Sequence, residues 1–168
     1  MTQNEHSGQA SGRTNTIRHV FEIAAPPEKV FSSLTTPEGL SAWWTTKVSA
    51  GEAMVGARVQ FTFGGPFNPQ MQITELDPPA HLEWRGAGGH DAFGSETTIR
   101  FDLDAAGDGT RVHFSHTLGR EVGDDAVASA NFTWGYYLDS LRLFCETGTG
   151  KPFQPGTAGA RVGADRVA

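Results

Sequence analysis

The feature that most constrains the fold is a single helix-length stretch that comes last in the chain. Between about Asp124 and Thr147, apolar residues recur with the spacing of an amphipathic α-helix, enough for about six turns. Asp124 or Asp125 suits the beginning of this helix, and Gly148 suits its end. Whatever precedes this stretch must therefore pack against one long helix.

Most of the preceding chain alternates apolar and polar residues, which is the period of a strand with one buried face. A first strand begins near Thr16, two short helices follow in PPEKVFSSLT and TTPEGLSAWW, and five or six further strands come next. An antiparallel sheet of this kind needs one face covered, and only the last helix is long enough to cover it. The predicted fold class is therefore α+β, a curved antiparallel sheet around a long C-terminal helix.

Composition limits the domain organisation and the partners. The 168 residues fit one domain, predicted over 15–150, with a disordered N-terminal tail over 1–14 and a flexible C-terminal tail over 151–168. The net charge of −6 argues against nucleic acid as a partner. With no secretory signal and no apolar run of about 20 residues, we expect a cytoplasmic protein without a membrane span. The one cysteine, Cys145, falls in the long helix and is predicted to be a buried structural thiol.

Four phrases, taken together, resemble one family: APPEKVFSSLTTPEGLSAWW, DPPAHLEWR, TRVHFSHTL and WGYYLDSLRLF. From Thr16 to about Gly148, the chain is similar to the START-like (SRPBCC) helix-grip superfamily. Within it, the chain resembles the group named after the C-terminal domain of the heat-shock-protein-90 ATPase activator. The resemblance implies the helix-grip fold, with a cavity between the sheet and the last helix. It implies no single activity, because lipid carriers, hormone receptors, polyketide cyclases and chaperone activators share this fold.

We predict that this cavity binds a small apolar molecule, lipid-like or aromatic. Trp43 and Trp44 end the second short helix, where family members have a lip over the cavity mouth, and at least one should face the cavity. The alternative for either tryptophan is to anchor its helix to the sheet. The other predicted lining residues are Phe61, Phe63, Met71, Ile73, Trp84, Phe114, Trp134, Tyr137 and Leu138. Their alternative role is simply to fill a core.

Glu75 and His116 are the polar candidates of the predicted site. Each shares a strand face with apolar residues, so each is predicted to point inward and either orient a ligand or act as acid and base. The structural alternative is a strand end in water or a bond to the backbone, and a bulge would turn either residue to the other face. Arg85 is predicted to lie outside by the same count, and the alternative is a bulge that turns it toward an anionic ligand.

Neither a metal nor a cofactor is predicted. His113 and His116 are three residues apart, and on a strand such positions face opposite sides of the sheet. The chain has no cysteine cluster that would supply other ligands, and its glycine-rich stretch GAGGHDAFGS lacks the pattern of a nucleotide-binding loop. That stretch is predicted instead to be a mobile loop at the cavity entrance.

Three functions remain, in order of preference. The first is a binding module for a small molecule, and the second is a cyclase- or hydrolase-type enzyme that uses His116, Glu75 and a water molecule. The third is a chaperone accessory, which the family name alone suggests. Converging titratable groups would favour the enzyme, and an exposed apolar patch would favour the chaperone accessory. A homodimer is a further expectation, because closed dimers are the commonest oligomers.

Overall fold

A computed structural model describes residues 15–90 and 96–156, so the predicted N-terminal tail lies outside the described residues. In these two segments, seven strands form one antiparallel sheet in the order β1-β7-β6-β5-β4-β3-β2, accompanied by three helices. The strands are β1 (Thr16–Ile23), β2 (Lys47–Ala50), β3 (Arg58–Thr62), β4 (Asn68–Asp77), β5 (His81–His90), β6 (Thr98–Ala106) and β7 (Gly109–Thr117). The helices are α1 (Pro27–Thr35), α2 (Pro37–Trp43) and α3 (Asp124–Thr147). The predicted helix-grip architecture is confirmed.

The strand register aligns the buried side chains in rows that cross the sheet. All neighbouring strands are antiparallel, so residues directly opposite each other share a face. One buried row comprises Ile17, His116, Ile99, Trp84 and Ile73. The adjacent row comprises His19, Phe114, Phe101 and Leu82. These two rows form the middle of the concave face on which α3 lies.

The long helix has the predicted bounds. It begins at Asp124 and ends at Thr147, and Gly148 follows with the left-handed φ of 82° that a glycine adopts readily. Its backbone packs near those of β1, α2 and α1. Its buried residues are Ala130, Trp134, Tyr137, Leu138, Ser140, Leu141 and Cys145. In the part of the chain that the structure describes, no helix is long and apolar enough to cross a membrane.

Two strand boundaries differ from the predictions. The short strand β2 lies in the glycine-punctuated stretch after the tryptophan pair, where the alternation is too brief to stand out. At the other end of the sheet, β5 continues to His90, although a loop was expected from Gly86 onward. Pairing with β4 extends β5 through glycines that carry no strand signal of their own. The rest of the predicted loop, residues 91–95, lies outside the described residues.

The expectation of a flexible tail from Lys151 is wrong for the first residues of that segment. The N–H of Phe153 donates to the carbonyl of Trp44 at 2.8 Å, and the Phe153 carbonyl accepts from the N–H of Thr46 at 2.9 Å. The Phe153 ring lies 5.6 Å from the ring of Phe63, measured between centroids. The chain after α3 therefore packs against the corner where α2 leads into β2, while residues 157–168 are outside the described part.

Candidate ligand-binding site

Aromatic rings in mutual contact line the interior between the sheet and α3. The Trp44 ring lies 4.3 Å from Phe61, 5.2 Å from Trp134 and 6.1 Å from Trp84, measured between centroids. Trp44 also meets Phe63 edge-on at 5.7 Å. These separations are typical of favourable aromatic pairs. Trp44 is therefore the tryptophan of the pair that faces the interior.

Trp43 has the anchoring role that was the alternative for either tryptophan. It is fully buried, and its indole N–H donates to the carbonyl of Ser33 at 3.0 Å, which ties α2 to α1. Gly39 permits the close approach of these helices, since a Cβ there would lie 2.6 Å from the Cα of Ser33. The fixed Trp43 ring stacks on Trp44 at 5.6 Å and so helps to set the position of the inward-facing ring.

The other predicted lining residues are buried on the concave face or on α3, with Glu75 as the exception. They are Phe61, Phe63, Met71, Ile73, Trp84, Phe114, His116, Trp134, Tyr137 and Leu138. Ring contacts connect the two sides of this interior, because Phe114 lies 4.5 Å from Trp134 across the gap between sheet and helix. The register inferred from alternation is thus correct at these positions.

The prediction that Glu75 points inward is wrong. The pairing of β4 with β5 slips between Ile73 and Glu75, so that Ile73 opposes Trp84 while Glu75 opposes Glu83. This bulge uses one extra residue and turns Glu75 to the solvent face. Glu75 and His116 therefore lie on opposite faces of the sheet, and they do not form the acid–base pair of the enzyme hypothesis.

On the outer face, Glu75 belongs to a cluster of charged side chains. His81 lies between two carboxylates, with Nε2 2.8 Å from Glu75 and Nδ1 2.7 Å from Asp102. Arg100 donates its Nε–H to Asp102 at 2.9 Å. Burial alone raises the pKa of the Asp102 carboxyl, but the hydrogen bonds from Arg100 and His81 outweigh it and lower that pKa. The cluster holds strands β4, β5 and β6 together from outside.

His116 is the buried polar centre of the interior. The Trp134 Nε1–H donates to its Nδ1 at 2.9 Å, and Thr97 Oγ1 lies 2.7 Å from its Nε2. Because the Thr97 hydroxyl donates to the carbonyl of Thr117 at 3.1 Å, that hydroxyl accepts from Nε2–H. These bonds assign the proton to Nε2 of a neutral imidazole. Burial lowers the pKa of His116 to about 4, so the ring stays neutral at pH 7.

In contrast to the nitrogens of His116, two buried side-chain nitrogens have no hydrogen-bond partner among the described residues. They are Nε2 of His19 on β1 and Nε1 of Trp84 on β5, and both side chains belong to the concave rows. In the sequence, His19 alternates with the apolar residues Ile17, Phe21 and Ile23, and that pattern is a signal of an inward polar group. The unpaired N–H of Trp84 left no such signal, since sequence alone does not show which acceptors surround an indole.

The described residues contain no group of three or more side chains that could hold a metal ion. His113 is exposed on the outer face, 3.3 Å from Asp104, while His116 is buried on the inner face, as strand parity requires. A shallow external groove of about 330 Å³ lies between α1 and the β4–β5 turn, away from the concave face. Its lining residues are Glu28, Phe31, Ser32, Thr35, Pro78 and Pro79.

A curved antiparallel sheet that grips a long C-terminal helix over an aromatic interior defines the START-like (SRPBCC) helix-grip class. The model of the family described as activator of Hsp90 ATPase homolog 1-like protein matches residues 24–146. The chain belongs to this family. No curated protein matches the chain.

Solved structures agree with this assignment. The chain is 36% identical to the Aha1 dimer from Colwellia psychrerythraea, with a TM-score of 0.71 over 80% of this chain and 98% of that one. It is 23% identical to protein MLL2253 from Mesorhizobium loti, with a TM-score of 0.65 over 76% of this chain and 93% of that one. The first likeness supports the family, and the second shows the fold.

Proposed function

We propose that the interior between the sheet and α3 binds a small, mostly apolar molecule, lipid-like or aromatic. The observation that carries the proposal is a pair of buried polar atoms, His19 Nε2 and Trp84 Nε1, which have no hydrogen-bond partner among residues 15–90 and 96–156. A buried polar atom that forms no hydrogen bond costs about 1–3 kcal/mol, so native cores rarely keep one. A ligand with polar atoms at these two places would remove that cost.

Binding is favoured over catalysis by the state of the titratable groups. His116 is neutral, and both of its ring nitrogens are hydrogen-bonded within the protein. Glu75, its proposed partner in acid–base chemistry, is on the other face. Acid–base catalysis needs groups within hydrogen-bond reach of one reacting atom, and this pair does not meet that condition.

Native mass spectrometry of freshly purified protein tests the binding proposal. We expect a small molecule that is present in the native spectrum and absent from the denaturing one. Thermal unfolding with a panel of apolar metabolites should then show stabilisation by some of them, because a ligand that binds only the folded state raises the midpoint. An apo mass together with an unchanged midpoint across the whole panel would contradict the proposal.

A second candidate function is self-association through α3. Phe132 is 74% exposed and Tyr136 is 38% exposed, and the two lie one turn apart on the outer face of the helix. An exposed pair of large aromatic side chains is a common feature of protein interfaces. The 36%-identical structure from Colwellia psychrerythraea is described as a dimer. We therefore propose that a second copy of the chain packs on this face around a two-fold axis.

Sedimentation velocity over a range of concentrations tests this interface. We expect a dimer for the wild-type chain and a monomer for Phe132→Asp. The matched control is Val20→Asp, which changes another exposed apolar side chain, 62% exposed, on the outer face of the sheet. A wild-type monomer at all concentrations, or dissociation by the Val20 variant alone, would contradict the proposal. A stable wild-type monomer would instead favour the chaperone-accessory hypothesis, in which the apolar face serves a partner protein.

A further inference from the structure

We infer that Trp84 is the hydrogen-bond donor that selects the ligand, and that the ligand is an uncharged molecule with an acceptor oxygen, such as a carbonyl or ether. This inference rests on the proposed ligand-binding function and specifies the chemistry of the same interior. It follows from the surroundings of one indole N–H and from the charges of the buried residues.

The Trp84 side chain is surrounded by rings that offer no ordinary acceptor. Its ring lies 5.8 Å from Phe61, 5.9 Å from Phe101 and 6.1 Å from Trp44, measured between centroids. The residue is 1% exposed, and its Nε1 has no hydrogen-bond partner in the described part of the chain. A ring face is only a weak acceptor, and a buried water molecule needs two to four polar partners. A ligand oxygen is a better acceptor than either.

Two other buried indoles of the chain donate their N–H to acceptors within the protein. Trp43 donates to the carbonyl of Ser33, and Trp134 donates to Nδ1 of His116. Both bonds connect elements of the fold and so have structural roles. Trp84 lies on the central strand β5, within the buried row that includes His116 and Ile99. Its N–H is therefore available at the middle of the concave face.

The charge of the interior indicates that the ligand is neutral. The buried residues of the described segments include no Lys, Arg, Asp or Glu, and the buried histidine, His116, is neutral at pH 7. A carboxylate or ammonium group placed beside the Trp84 N–H, among the rings of Phe61, Phe101 and Trp44, would therefore be buried without a counter-ion, at a cost that only a paired charge avoids. A carbonyl or ether oxygen accepts from the indole N–H without that cost.

The test compares indane with 1-indanone, two probes that share a carbon skeleton and differ by one carbonyl oxygen. Because water also solvates that oxygen, the informative quantity is the ratio of the two dissociation constants, compared between proteins by calorimetric titration. Trp84→Phe removes the donor and keeps an aromatic side chain. Val20→Ala is the control, since it changes an exposed side chain on the outer face of the sheet, away from the interior. We expect the preference for 1-indanone to fall about tenfold in the Trp84 variant and less than twofold in the control.

A preference that survives Trp84→Phe would overturn the inference and leave the proposed function intact. Failure of the wild-type protein to bind 1-indanone would also overturn the inference, while native mass spectrometry and the metabolite panel decide the proposed function separately. If Trp84→Phe does not fold, the wild-type protein decides the question through the indole ¹H–¹⁵N signal of Trp84. We expect 1-indanone to shift that proton downfield and indane to leave it in place, and an equal effect of both probes would overturn the inference.

Discussion

His116 should make the stability of the protein depend on pH. Its pKa is about 4 in the folded state because burial excludes the charged form, while an unfolded histidine has a pKa of about 6.5. The folded pKa is depressed, so the unfolded state binds more protons between these values. The contribution of His116 is therefore full above about pH 6.5 and is lost as the pH falls toward 4. We expect roughly 3 kcal/mol from this residue over that window.

Urea unfolding at pH 4.5 and pH 7 measures this dependence. His116→Gln should be less stable at pH 7, because it leaves Trp134 and Thr97 without their shared partner, but its stability should change less with pH. His113→Gln, on the exposed face of the same strand, is the control and should keep the wild-type dependence. Equal pH dependence in wild type and His116→Gln would contradict the lowered pKa of the buried His116.

Glu75 illustrates what alternation along a strand does not reveal. The period of two correctly placed Met71 and Ile73 inside, but the bulge that follows depends on how β4 pairs with β5, and pairing is a property of two strands. A side chain on the outer face should not affect the interior. We expect Glu75→Gln to change the affinity for 1-indanone less than twofold, in the titration used for Trp84. A loss of affinity of tenfold or more would indicate that Glu75 contributes to the binding site.

At the scale of elements, Ser140 connects α3 to two other parts of the fold. Its hydroxyl donates to the carbonyl of Trp43 at 2.8 Å and accepts from the N–H of Lys151 at 2.6 Å, and the residue is fully buried. Ser140→Ala leaves both backbone groups without this partner, so we expect a loss of about 1–3 kcal/mol in the free energy of unfolding.

The same unfolding measurement on Ser129→Ala supplies the control for Ser140. Ser129 is half-buried near the beginning of the same helix, and its replacement should cost less than about 0.5 kcal/mol. If both variants lose the same stability, the effect would come from helix propensity or packing, and the proposed link between α3, α2 and the following segment would be wrong.

Elements with a strong local pattern were predictable, and elements defined by their neighbours were not. The bounds of this 24-residue helix, α3, follow from its apolar stripe, the acidic residues in its first turn and the glycine after its end. In contrast, β2 is four residues long and depends on pairing with β3, and the glycine-containing end of β5 depends on pairing with β4. The inward aromatic residues were predictable because burial repeats every second position, whereas the partners of their polar atoms depend on the packed interior.

For the whole molecule, the family and the helix-grip fold were predictable from phrases spread over most of the chain, but the end of the packed structure was not. Lys151 to Gly156 contain two prolines, one glycine and two polar residues, a composition typical of tails. Phe153 is the exception in this segment. Its half-buried ring contacts Phe63, and its backbone forms two hydrogen bonds with the α2–β2 corner.

Two shortened chains test whether this segment stabilises the domain. A chain that ends after Gly150 should be about 2–4 kcal/mol less stable than one that ends after Gly156, because it lacks the apolar burial of Phe153 and its two backbone hydrogen bonds. Both chains lack residues 157–168, so their difference in urea unfolding reports only on the six residues between the two ends. Phe153→Ala in the longer chain should account for about half of that loss, since it keeps the backbone bonds. Equal stability of the two shortened chains would mean that the domain ends at Gly150, as composition alone suggested.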